Sequence, residues 1–63
     1  MCEANAYLVK GNGEEELVCE SVDKVLPQED GIVLEDIFGR KKILRARIKE
    51  MALVDHKIYL EAL

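Results

Sequence analysis

Two cysteines and one histidine carry most of the metal-binding or nucleophilic chemistry this chain could perform: Cys2, Cys19 and His56. Cys2 is the most unusual of them. A thiol one residue from the start of a chain lies within chelating reach of the terminal amine and the first amide. Removal of Met1 would put amine and thiolate in one five-membered chelate ring. With Met1 in place, amine, amide nitrogen and thiolate could still wrap a single ion. Thiolates select soft or borderline metals, and square-planar sites containing nitrogen favour Ni(II) or Cu(II). One chain offers too few donors to close such a site, whereas two copies of Cys2 meeting on a two-fold axis would supply a symmetric set of four. The competing reading is that a cysteine at position two is there by chance.

Cys19 sits in Leu17-Val18-Cys19-Glu20 and reads as a small apolar core residue, the usual role of a free mid-strand cysteine. His56 falls in a turn, Val54-Asp55-His56-Lys57, where a histidine is more often a turn residue than a ligand. It is retained as a minor metal contact. The spacing from Cys2 to Cys19 matches no zinc finger, knuckle or CxxC redox motif. One histidine and scattered acids assemble no nucleophile with a base and an orienting group, so an enzyme is not expected.

A third cluster is electrostatic. Arg40, Lys41, Lys42, Arg45, Arg47 and Lys49 place six of the nine basic residues within ten positions, in a chain of net charge -4. Such a stripe could bind phosphates, giving a small RNA-binding or scaffolding protein that uses the basic face of residues 40–49. The alternative is a solvated strand face paired with Glu14, Glu15 and Glu16. No aromatic residue is interleaved to stack bases, and the acidic balance also argues against nucleic acid.

The elements that must position these residues read as all-β. Sixty-three residues make one domain, 1–63, burying only about 60% of its unfolded surface. A core this thin usually needs a metal, a disulfide framework or a partner subunit. Two cysteines build no framework, which leaves a metal or a dimer. The opening Met-Cys-Glu-Ala-Asn has neither a basic region nor an apolar run, and nothing approaches the ~20 apolar residues of a membrane span. A reducing cytoplasm with free thiols is therefore expected, and no membrane partner.

Turn signals fall at Gly11-Asn12-Gly13, at Pro27 to Gly31, at Phe38-Gly39-Arg40 and at Val54 to Lys57, separated by strand-length stretches. Ala4, Ala6 and Leu8 alternate with Asn5, Tyr7 and Val9, and Ile58 and Leu60 alternate with Tyr59 and Glu61. Ile32-Val33-Leu34 suits a strand covered on both faces. The segment GRKKILRARIKEMALV is rich in helix formers, but Gly39-Arg40 is a poor helix cap after four short strands. It is read as a strand with Leu44, Ala46 and Ile48 inward.

The opening Met-Cys-Glu-Ala-Asn-Ala-Tyr-Leu, then Asp36-Ile37-Phe38-Gly39, Arg47-Ile48-Lys49-Glu50 and Leu53-Val54-Asp55-His56-Lys57-Ile58, resemble the CooT family over essentially the whole chain. These are small nickel-binding proteins associated with maturation of anaerobic carbon monoxide dehydrogenase. The resemblance implies a homodimer of small Sm- or SH3-like β-barrels with five to seven short strands and a bent strand over the basic segment. It further implies one Ni(II) per dimer held through Cys2 of each subunit, and transient contact with a nickel enzyme or its maturation factors. Ala4 and Ala6, on the face of Cys2, would let the two termini approach closely. Tyr7, Val9 and Tyr59 are the apolar positions expected to remain for a subunit contact.

Overall fold

The computed structural model describes residues 3–63. They form six strands: β1 (Ala4–Val9), β2 (Glu15–Gln28), β3 (Gly31–Asp36), β4 (Lys41–Leu44), β5 (Ala46–Ala52) and β6 (Lys57–Ala62). All six belong to one sheet in the order β4-β3-β2-β1-β6-β5. No helix occurs among the described residues, so the basic segment is strand, as its poor cap and inward alternation suggest. Local helix propensity yields here to burial, since Ala46 is 2% exposed and Leu44 and Ile48 pack against the core.

Each turn signal marks a reversal. The Lys10 and Glu14 backbones close the β1–β2 loop, with Gly13 at φ 89°, a left-handed conformation that favours glycine. Gly39 does the same at φ 83° between β3 and β4. Gly31 differs. It is the first residue of β3, opposite Gln28, and its role is close approach: a Cβ there would run into the Leu44 carbonyl oxygen.

β2 is one long strand that serves two neighbours. Its first half pairs with β1, its second half with β3, and only Val22 is paired to both. The change of direction comes at Ser21, which adopts φ 53°. The Asn5 side-chain oxygen accepts a bond from the Ser21 amide at 3.2 Å, and the Glu3 carboxylate accepts one from its hydroxyl at 3.3 Å. These contacts hold a backbone conformation that a non-glycine residue adopts at a cost. Pro27 is tolerated because β2 has a partner on one side only at that point.

The expected closed barrel is not formed. β4 and β5 are the two edges of the sheet, yet in sequence only Arg45 separates them. Consecutive segments of one bent strand cannot turn back to pair with each other, so the edges are joined covalently and no hydrogen-bonded ladder closes the ring. β3 touches β5 across the fold, and the Leu63 amide donates to the Arg45 carbonyl at 3.1 Å. The curled sheet encloses Ala6, Val22, Ile32, Leu34, Ala46, Ile58 and Leu60. Two of these seven are alanines, which keeps the core thin. Val33 is half-buried, so β3 is not fully covered on its second face. Ala6 is fully buried within its own subunit and is therefore not available to let two termini approach.

Candidate functional site

Met1 and Cys2 lie outside the described residues. What the structure gives is the setting of the residues that follow them. The Asn5 amide donates to the His56 carbonyl at 2.9 Å, and the parallel pairing of β1 with β6 begins there, Asn5 opposite Lys57. On the other side Ala4 faces Val22, and Glu3 and Asn5 grip Ser21. Residues 3–5 are thus held between the β2 bend and the turn carrying His56. That turn takes its shape from His56 at φ 56° and an amide bond from His56 to the Leu53 carbonyl at 3.2 Å. Its tip is apolar and open: Leu53 is 71% and Val54 92% exposed.

Among the described residues, no three His, Cys, Asp or Glu side chains come together as a metal-binding cluster. His56 therefore belongs to no such cluster, although its backbone carbonyl accepts the Asn5 amide. Cys19 is a free, half-buried thiol packed against the core, opposite Ala6. Burial and then the Asp36 charge push this thiol above its ordinary value, against the opposing pull of Lys42 and Arg40. A protonated, partly desolvated thiol is a poor ligand and a poor nucleophile. Leu17, two residues before it, is exposed, because Val18 is an extra residue that breaks the alternation between Leu17 and Cys19.

The basic run spans a bend. Arg40 precedes β4, Lys41 and Lys42 lie on it, Arg45 is the single residue between β4 and β5, and Arg47 and Lys49 lie on β5; all six are exposed. Several of these charges are also occupied. Arg40 Nε meets the Asp36 carboxylate and Arg47 Nε meets Glu61, each at 2.8 Å, while Lys41 Nζ is 4.0 Å from Glu35. Among the described residues the partners are Glu35, Asp36 and Glu61, not the anticipated Glu14, Glu15 and Glu16, of which Glu16 alone is paired there, with Lys10 at 3.3 Å.

Asp36 anchors the β3–β4 turn, a role not anticipated above. It is 6% exposed. Its Oδ1 accepts the Phe38 and Arg40 amides and its Oδ2 the Arg40 guanidinium, all within 2.9 Å. Burial pushes its carboxyl upward, but the Arg40 and Phe38 hydrogen bonds outweigh that and hold it below the ordinary carboxylate value. An Asp two residues before an amide it can cap, ahead of a glycine turn, is the signal that could have found it.

The model of the CO dehydrogenase accessory protein CooT family matches residues 1–61. The chain belongs to the CooT family. It therefore belongs to a family of accessory proteins rather than catalysts. A crystal structure described as a candidate CooT from Carboxydothermus hydrogenoformans superposes with a TM-score of 0.89 and 52% identity, covering 98% of both chains. An uncharacterized protein of Methanocaldococcus jannaschii is 39% identical over 61 residues, 97% of this chain and 98% of its own. The CooT match includes position 2. No helix among the described residues is long and apolar enough to cross a membrane.

Proposed function

We propose that this CooT-family chain carries Ni(II) as cargo and supports the maturation of a nickel enzyme, carbon monoxide dehydrogenase being the client that the family description names. The observation that carries this reading is the family match spanning residues 1–61, with Cys2 inside it. Carbon monoxide dehydrogenase is a nickel enzyme, and a thiolate beside a backbone or terminal nitrogen is a donor pair suited to that ion.

The cargo would be held by Cys2 of two subunits with the amine or amide nitrogen beside each, one ion per homodimer. His56 is the minor ligand; its backbone carbonyl accepts the Asn5 amide, three residues after Cys2. Dimerisation is favoured by the apolar surface that this thin fold leaves uncovered, Phe38, Ile43, Leu53 and Val54 each being more than 70% exposed. Tyr7, Val9 and Tyr59 are half-buried within the subunit, and the two tyrosine rings lie 6.0 Å apart, tilted against each other. The bent β2 and the β4–Arg45–β5 bend are features in keeping with an open Sm- or SH3-like sheet. A cytoplasmic setting fits free thiols.

Isothermal titration with nickel tests the reading directly. Wild type and Cys19→Ser should bind and develop a thiolate-to-metal absorption band, and Cys2→Ser should do neither. A band that survives in Cys2→Ser and disappears in Cys19→Ser would overturn the ligand assignment.

A further inference from the structure

Two non-glycine residues among those described have a positive φ, Ser21 at 53° and His56 at 56°. They lie far apart in sequence, and Asn5 is bonded to both. Its side-chain oxygen accepts the Ser21 amide at 3.2 Å, and its own amide donates to the His56 carbonyl at 2.9 Å. Between the pairs Ala4–Val22 and Ala6–Cys19 the ladder advances two residues on β1 but three on β2. An extra residue of this kind is left unpaired, and Ser21 has no partner in the ladder with β1 or in that with β3. Asn5 Oδ1 therefore stands where a strand's carbonyl would be. On its other side Asn5 begins the parallel ladder with β6, opposite Lys57. The Ser21 hydroxyl adds a second tie by donating to the Glu3 carboxylate at 3.3 Å, and the Ser21 carbonyl accepts the Ile37 amide at 2.9 Å. Strained backbone of this kind persists only where its surroundings over-determine it, and it clusters where geometry serves function.

We propose that Asn5 is a positioning residue for metal capture: holding Ser21 through its side chain and His56 through its backbone, it fixes residues 3–5 and so the point from which Cys2 reaches its ion. The inference rests on the reading that Cys2 holds nickel. Cys2 is joined directly to Glu3, so its donors extend from a segment tied down on both sides. An ion shared by two subunits needs both sets of donors ordered at once. Any freedom left in residues 3–5 would have to be given up on binding, at the expense of affinity. Asn5 removes that freedom in advance without touching the ion.

The test titrates the full chain with nickel at a fixed pH, following the thiolate-to-metal absorption band, thermal unfolding and, without metal, amide hydrogen exchange. Three variants separate the roles. Asn5→Ala removes the acceptor, Asn5→Asp keeps it, and Asn5→Ala combined with Ser21→Gly removes it while relieving the positive φ at the bend. Asn5→Ala should speed exchange of the Ala4 and Ser21 amides and weaken nickel binding about tenfold or more. Asn5→Asp should stay within about threefold of wild type. The double variant should regain most of the wild-type unfolding temperature and yet keep the weakened affinity. Wild-type affinity in Asn5→Ala would overturn the proposal. So would recovery of affinity together with stability in the double variant, since Asn5 would then only stabilise the bend. An Asn5→Asp protein as weak as Asn5→Ala would overturn it too. A wild type that takes up no nickel, or no more than Cys2→Ser does, would instead overturn the reading beneath it, and the proposal with it.

Discussion

Replacing Gly31 with alanine should unfold this protein well below the wild-type temperature, for a reason unrelated to turn conformation. Gly31 has no positive φ, so alanine meets no backbone strain there. In the unfolded chain, alanine would even favour the native state by about 0.4–1 kcal/mol. Opposing this is a collision between the new Cβ and the Leu44 carbonyl oxygen, a backbone atom that cannot rotate away. Crowding of this kind costs about 1–3 kcal/mol. Moving Leu44 also disturbs its pairing with Ile32 and the adjacent bend at Arg45, at about 1 kcal/mol for a weakened hydrogen bond. The net is about 2 kcal/mol of destabilisation. For a domain of this size each kcal/mol moves Tm by about 4–8 °C, so differential scanning calorimetry should show a fall of about 8–16 °C. Gly11→Ala is the matched control: nothing lies within 4 Å of its added Cβ and its φ is not positive, so Tm should hold or rise slightly. A Gly31→Ala protein as stable as wild type would mean that the bent strand does not cross β3 at Gly31.

Three further outcomes are expected. The depressed Asp36 carboxyl adds stability that is present above the unfolded value of about 3.9 and is lost as pH falls through the lower folded value; Asp36→Asn should flatten that acid limb in pH-dependent urea unfolding, and an unchanged limb would contradict it. Leu60→Ala, at a fully buried position, should cost about 2–5 kcal/mol in the same assay, whereas a loss below about 1 kcal/mol would show that the core re-forms around the gap. His56→Gly should relieve the left-handed conformation at φ 56° and leave Tm level or higher, with nickel affinity changed less than tenfold, about 1.4 kcal/mol; a larger loss moves His56 into the ligand set.

Much of the fold was legible because local chemistry and burial agree along most of the chain. The four turn signals are the four reversals, and Ala6, Ile58 and Leu60 are buried as their alternation requires. What stayed hidden depends on non-local geometry. Ser21 bends β2 without glycine or proline, supported by Asn5 and Glu3 from a different strand. Gly31 looks like a turn residue and is instead a point of contact with Leu44. The basic run reads as one stripe, since sequence alone cannot show that the strand bends at Arg45 and pairs with β3 before the bend and with β6 after it. The candidate site was legible only through Cys2, a residue type at an unusual place, and through family resemblance. The proximity of the His56 turn to Asn5 arises from parallel pairing of the first and last strands, which no local pattern announces.

Native mass spectrometry of nickel-loaded protein, run from pH 6 to 9 alongside Cys2→Ser, tests the central claim most directly. It also reports whether Met1 is present. Thiol and α-amine ligands, with ordinary values near about 8.5 and 7.7–8.0, must lose protons to bind. The predicted result is one nickel per two chains, occupancy rising steeply with pH, and no retained metal in Cys2→Ser. Nickel on single chains, two ions per dimer, or pH-independent loading that persists without Cys2 would contradict it.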